Sequence, residues 1–415
     1  MKTMFQIKPI FSAMLRNKLG PILVAVQVAL SLAILANAIY IVNLRLAVAA
    51  RPSGVANELD VFRVHISNQK LGGHEEQMAM QKQEAATIRA VPGVTSVART
   101  NSFPISFSGS NSGVSADRKQ NSETTAAGIY VSPDSLVKTW GLKLIQGQDF
   151  QAGDYIETDP NTSKDFVKKV IISLALAEKL FPGESNFVGK EFFFGNGEGA
   201  KDVRVVGVVE TLQTSNGNVE ERGAFSALLP ARVTNTSYDG YAVRVEKGQR
   251  DTVMKEVEAA LRKASTTPIK VSLKTMEKIR IDRYRAEKGL AWMLLAVSCL
   301  LIVVTASGIV GMSTLWVAQR RKHIGVRRAL GARRVDILLY FVTENIMITT
   351  GGIAAGTMLA LGLNQLLVSQ FELSKLPLSY LFVAPMVFWV LGVIAVYAPA
   401  WRAASISPAT ATRST

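Results

Sequence analysis

Four stretches of this chain run without a charged residue for long enough to cross a bilayer. They cover residues 20–44, 289–318, 345–371 and 376–401, which is 25, 30, 27 and 26 positions. A helix needs about 20 apolar residues to span the hydrocarbon core of a membrane. In lipid such runs must also bond every backbone group internally, which favours helices over loops. The pattern predicts four transmembrane helices, at residues 20–45, 288–318, 338–371 and 376–401.

The net charge of +15 invites a nucleic-acid partner, so its placement decides. Residues 46–287 hold 31 Lys/Arg against 29 Asp/Glu, close to balance. The excess lies in residues 1–19, 319–344 and 401–415, which carry 13 basic side chains against only Asp336 and Glu344. Basic segments flanking membrane helices follow the positive-inside rule. That reading excludes a nucleic-acid footprint and predicts that both termini and the central loop face the cytoplasm, with residues 46–287 outside it.

Lys2, Lys8, Arg16 and Lys18 precede the first apolar run, and Ala47-Val48-Ala49 imitates a cleavage site. A signal core is usually about 7–15 residues, so this longer run is read as a retained helix. Met4, Ile7, Phe11 and Met14 share one helical stripe, which predicts a cytosolic amphipathic segment over residues 1–19 on the inner membrane surface. Cys299 is the single cysteine, so no disulfide framework exists. The region 46–287 must be held by its own core.

That region has α+β patterning. Residues 60–66 alternate as a strand, 75–91 are helical, and 94–99 form a second strand after Pro92-Gly93. The same order returns at 241–245, 251–263 and 269–273. Two β-α-β units therefore bracket a strand-rich middle block of about 126–230, with strands at 169–173 and 203–209 and a short helix at 174–180. Residues 101–125, rich in Ser, Asn and Gly, are expected to form a mobile loop. Residues 274–288 are helical and lead directly into the second membrane helix.

Catalytic and metal motifs are weak. Gly183 to Lys190 imitates a phosphate-binding loop, but it has five residues between its glycines and Glu191 in place of Ser/Thr. His65, His74 and His323 show no metal-ligand spacing, and no G-x-S-x-G elbow is present. A non-catalytic chain that binds no cofactor itself is the expectation. Gly352, Gly356 and Ala360 form a small-residue stripe suited to close helix packing, and Gly308 and Gly311 could serve similarly. Glu344 and Asn345 stand at the entrance of the third helix, where the carboxylate could stay solvated or pair with a loop arginine.

The loop at 319–337 holds seven Arg/Lys against Asp336. It could be a topology signal or an anionic-lipid contact. Ile324, Val326, Ala329 and Leu330 add an apolar set within the basic run, and Gly325 and Gly331 flank a short helical turn. A lipid-binding run does not need that pattern. A helix docking into a cleft on a cytosolic partner does.

Arg320-Arg-Lys-His-Ile-Gly-Val-Arg-Arg-Ala-Leu-Gly-Ala332, with Asp336-Ile337 and Phe341-Val-Thr-Glu344, resembles the signature of MacB/FtsX-type ABC transporter permeases. Residues 170–183, 188–190 and 204–209 resemble the external domain of MacB-type members, and 397–409 resemble the family's C-terminal ending. The resemblance implies an integral membrane protein with four transmembrane α-helices and a large α+β extracytoplasmic domain inserted between helices 1 and 2. It also implies a bacterial inner-membrane location, with 46–287 in the periplasm and a cytosolic tail at 402–415.

By the same resemblance, a separate cytosolic ABC ATPase subunit carrying ATP and Mg would grip the loop through Ile324, Gly325, Val326, Arg327, Arg328, Ala329, Leu330, Gly331 and Ala332. A second permease, identical or a sister chain, would complete a dimer, and a periplasmic adaptor and an outer-membrane channel are further expected partners. Export or extraction of a substrate is the leading expectation. A regulator that switches a periplasmic hydrolase or sensor is the alternative. Two departures stand out: about 19 residues precede the first helix where full MacB proteins carry a fused ATP-binding domain, and His323 occupies a position usually acidic in the family.

Overall fold

The computed structural model describes residues 18–68, 72–159, 163, 165–218, 221–234, 240–371 and 375–405. The expected amphipathic segment at 1–19 lies almost wholly outside them, as does most of the tail at 402–415. The chain divides into two compact units, Ala47–Glu287 and a second formed by Met1–Leu46 with Lys288–Thr415.

The helices, in chain order, are α1 (Leu19–Ala50), α2 (His74–Arg89), α3 (Leu136–Trp140), α4 (Leu174–Leu180), α5 (Arg250–Ala264), α6 (Met276–Gln319), α7 (Arg321–Ala329), α8 (Arg334–Phe371) and α9 (Leu378–Ala404). The strands are β1 (Val61–Asn68), β2 (Val94–Thr100), β3 (Ser110–Ser115), β4 (Thr125–Ser132), β5 (Leu144–Gly147) and β6 (Ile156–Thr158). They continue as β7 (Lys169–Ser173), β8 (Glu191–Phe194), β9 (Lys201–Val209), β10 (Ser226–Val233), β11 (Gly240–Val245) and β12 (Ile269–Thr275).

In the first unit, the units β1-α2-β2 and β11-α5-β12 interlock into one antiparallel sheet of order β12-β1-β11-β2. Each β-α-β unit leaves a gap of one strand that the other fills, the split arrangement of ferredoxin-like folds. Period-2 alternation puts Phe62, Val64, Val97, Tyr241 and Val243 on one face. That face meets Ala85 and Ile88 of α2 and Val253, Val257 and Leu261 of α5, apolar at three- and four-residue spacing.

Between β2 and β11 the chain builds a second sheet. Six of its strands form a path β4-β3-β8-β9-β7-β10, and a parallel β10–β4 pairing from Ser226↔Gly128 to Pro230↔Ser132 closes that path into a ring. β5 and β6 attach outside it, to β9 and β10. Phe192, Phe194, Val170, Ile172, Val203 and Val205 fill this block. A second core, shared with the four-stranded sheet, centres on fully buried Trp140, which stands edge-on to Phe103 at 5.7 Å and Tyr130 at 5.1 Å.

Residues 101–125 are a loop only in part. They hold β3, and Asn101, Ser102, Phe103 and Ile105 are buried. Their polar groups bond inward: Asn101 Oδ1 accepts from Val131 N at 2.8 Å, and its Nδ2 donates to Ile129 O at 3.3 Å. The insertion into the ferredoxin-like frame therefore spans residues 101–239, wider than the block expected at 126–230.

The first twelve residues of α6 also belong to this unit. Arg280 pairs with Glu58 at 2.5 Å and donates to Arg51 O at 2.9 Å, Arg283 donates to Asn216 O at 2.5 Å, and Tyr284 is fully buried.

In the second unit, α1, α6, α8 and α9 are each long and apolar enough to cross a membrane, one of them ahead of the α+β unit in sequence and three after it. α1 is the most enclosed of the four. Val24, Val28, Leu32, Leu35 and Ala36 bring it against Ile309, Ile348, Ile353 and Phe388. Some polar groups inside the bundle pair across helices, as lipid favours. Ser31 and Thr305 hydroxyls bond at 2.8 Å, and Gln27 Nε2 donates to Val304 O at 3.0 Å.

Candidate functional site

The connection between α6 and α8 folds as a short helix with defined ends. After the break at Arg320, α7 runs for nine residues and stops at a left-handed Gly331, with φ of 95°. Ala332 N donates to Arg327 O at 3.0 Å and Gly331 N to Arg328 O at 3.2 Å. This paired closure needs a residue without Cβ at that point, which explains the glycine. Asp336 then returns a carboxylate oxygen to Arg333 N at 2.9 Å, capping the start of α8.

Two of the nine residues expected to meet a partner point inward instead. Ile324 and Gly325 are buried, and Ile324 packs with Ile337, Phe341, Ala400, Ala403 and Ala404. Ile324 is therefore the anchor that holds α7 to its own chain, not an exposed contact. The small residues at the end of α9 form its seat. Arg320 fixes the other side of the loop: its Nη1 donates to Glu344 Oε2 at 2.6 Å and to Tyr340 Oη at 3.2 Å. Glu344 is 2% exposed, so of the two options open to this carboxylate the structure takes the ion pair. Arg327 lies over the Tyr340 ring at 5.1 Å, and Arg328 Nη1 donates to Ala332 O at 3.1 Å.

What remains on the surface is compact. Val326 is 51% exposed and Leu330 83%, with Arg321, Lys322, His323, Arg327, Ala329 and Gly331 exposed around them and Arg328 and Ala332 partly covered. An apolar pair within a cationic rim is chemically suited to an apolar cleft with acidic edges.

The small-residue stripe of α8 faces α1. A Cβ on Gly352 would stand 2.7 Å from Ala25 O, and one on Gly356 2.8 Å from Ala29 O. Ala360 is fully buried, and its carbonyl accepts from Asn37 Nδ2 at 3.1 Å. Gly308 of α6 leaves room for the Gln27 side chain, whereas a Cβ on Gly311 would meet no neighbour within 4 Å.

Sequence reasoning did not find Tyr340 or the Ala400, Ala403, Ala404 seat. The three-residue alanine spacing next to Pro399 was the available signal. Among the described residues no His, Cys, Asp or Glu group could hold a metal ion.

Comparison with known proteins agrees with this architecture. Residues 28–260 match the MacB-like periplasmic core domain, and residues 295–408 match the FtsX-like permease C-terminal domain. The Macrolide export ATP-binding/permease protein MacB of Agrobacterium fabrum is 29% identical over 277 residues, 65% of this chain and 40% of that protein. Its namesake from Chromobacterium violaceum is 24% identical over 296 residues, 70% of this chain and 44% of that protein. The one from Acinetobacter baylyi is 24% identical over 302 residues, 71% and 43%. The chain thus spans less than half the length of these curated relatives. With its periplasmic-core and permease regions matched in that order, the chain belongs to the MacB/FtsX-type family of ABC transporter permeases.

Proposed function

We propose that this chain is the permease subunit of an ATP-driven export or extraction complex of a bacterial inner membrane. A separate ABC ATPase subunit, carrying ATP and Mg, grips α7 from the cytosol. Closure of the ATPase pair moves the membrane helices of two permease chains, identical or sister, and the motion reaches the periplasmic α+β units. Both termini then lie in the cytoplasm, and a periplasmic adaptor and an outer-membrane channel receive the cargo.

One observation carries this reading. α7 is fastened by Ile324 and by the Arg320–Glu344 pair, while Val326 and Leu330 stand exposed among cationic side chains. A helix that served only to connect α6 and α8 would have no use for an 83% exposed leucine beside a fixed apolar anchor. Anchored on one face and apolar on the other, it can receive force from a partner and pass it to α8 and α9.

The experiment is purification of the tagged full chain from native membranes, compared with Leu330→Glu and Val326→Glu. The wild type is expected to bring an ABC ATPase with it and to stimulate its hydrolysis. Both variants should lose the ATPase while keeping the wild-type melting temperature. An ATPase retained at wild-type yield and activity by both variants would overturn the assignment. Macrolides, the cargo named for the relatives, are the first compounds to test for transport.

A further inference from the structure

Three of the described non-glycine residues hold a left-handed backbone, and two of them fall in one loop of the α+β unit. Ile105 has φ of 53° and Phe107 of 70°, values that bulky side chains rarely take and that favour glycine. The loop is nonetheless firmly held. Ile105 N donates to Thr214 O at 3.1 Å, Phe107 N to Ser215 O at 3.0 Å, and Ser106 Oγ to Phe103 O at 2.8 Å. Ile105 is fully buried, whereas Phe107 is 69% exposed. Backbone strain that the surroundings enforce clusters where a side chain has a task. Here it turns an aromatic ring outward.

The ring rests on α6. The Arg283 guanidinium lies 4.8 Å from its centroid, and it is already engaged: Nε donates to Asn216 O at 2.5 Å and Nη2 to Gly217 O at 3.1 Å. α6 runs unbroken from Met276 to Gln319, and its charge-free run starts at Gly289. Only about 9 Å of helix separates Arg283 from that start. The headgroup layer adds about 5–8 Å to each side of the hydrocarbon core. A ring seated on Arg283 is therefore within reach of the headgroups. Its flanks, Ser106 and Ser108, are polar, so the loop offers one ring and not an apolar patch. A protein partner needs a larger contiguous area. A single aromatic with polar flanks suits the boundary between headgroups and acyl chains.

We propose that Phe107 inserts into the headgroup layer of the bilayer that α6 enters, fastening the loop at 103–109 to the lipid surface. The α+β unit then has an attachment to the membrane besides the helices that tether it.

The test uses the full chain carrying Cys299→Ser and Phe107→Cys, labelled with a fluorophore and reconstituted in phosphatidylethanolamine–phosphatidylglycerol vesicles. A nitroxide borne on the lipid headgroup should quench the probe. Iodide present on both sides of the vesicle should quench it less than it quenches the fluorophore free in solution. Quenching by iodide with none by the lipid nitroxide would leave position 107 in water. Protection from both would put a protein surface over it, such as a second copy of the chain. Either result would overturn the proposal. If the labelled variant does not fold, the unlabelled wild-type chain is irradiated in vesicles holding a lipid with a photoreactive headgroup. The peptide spanning 103–109 should carry the adduct. Phe107→Gly should lose most of that adduct while keeping or raising the melting temperature, because glycine suits the backbone there. An unmodified peptide, or an adduct undiminished in Phe107→Gly, would likewise overturn the proposal.

Discussion

The Glu344 carboxylate, 2% exposed, accepts from the Arg320 guanidinium at 2.6 Å and ties the start of α7 to the body of α8. Removing one partner of such a pair leaves the other charge stranded, which costs far more than replacing both.

Glu344→Leu should therefore destabilise the membrane unit by about 3 kcal/mol. Arg320→Met with Glu344→Leu should recover much of that loss, giving a coupling of roughly 1–3 kcal/mol between the sites. Thermal unfolding of the two single variants and the double variant in detergent provides the check. Simple additivity would mean that the pair contributes nothing.

The glycines of α8 should separate by what they face. Gly356→Leu drives a side chain into Ala29 and Leu32 of α1 and should cost about 1–3 kcal/mol or more by overpacking. Gly351 has nothing within 4 Å of its Cβ position, so Gly351→Ala should be neutral or slightly stabilising through helix propensity. Melting temperatures of the two variants, measured in one detergent, test the contrast. Equal effects would refute the close approach of α8 to α1.

On α7, the buried and exposed apolar residues should behave in opposite ways. Ile324→Ala opens a cavity against Phe341 and Ala403 and should lower stability by about 2–4 kcal/mol. Leu330→Ala, at 83% exposure, should leave stability within about 0.5 kcal/mol. Denaturant unfolding of both variants distinguishes them. If Leu330→Ala proved the more destabilising, the orientation of α7 would be wrong.

His65 supplies a pH dependence in the α+β unit. Burial first, then the neighbouring charges of Arg63 and Lys270, hold its imidazole below the usual 6.5. The folded state resists protonation, so below pH 6.5 the unfolded chain binds more protons. Stability is complete above pH 6.5 and is lost as the pH falls through the window between 6.5 and the folded value. Melting from pH 7.5 to 5.5 should show that decline, and His65→Gln should flatten it. A slope unchanged in His65→Gln would assign the effect elsewhere.

The frame was legible because its signals are local. Charge-free runs marked the long apolar helices, and Pro92-Gly93 separated α2 from β2. Sheet closure was not legible, since nothing in Gly128 or Ser226 announces that their strands pair in parallel across nearly a hundred positions. Residues 101–125 misled because Ser, Asn and Gly suit a loop as well as a buried polar network, and only the tertiary partner of Asn101 decides between them. On α7, the basic run between its two glycines correctly suggested a short helix. Which apolar residue turns inward depended on the alanine seat at 400–404, nearly eighty residues away.

Thr100 and Gly240 face each other across the β2–β11 pairing, so the chain leaves the four-stranded frame and re-enters it at opposed positions, roughly 5 Å apart. The frame needs only that those two ends meet. Whatever grows between them, from a tight hairpin to the ring of strands seen here, can be lengthened, trimmed or exchanged without altering the register of the sheet that carries it. Evolution can rewrite this cassette while its mount stays constant.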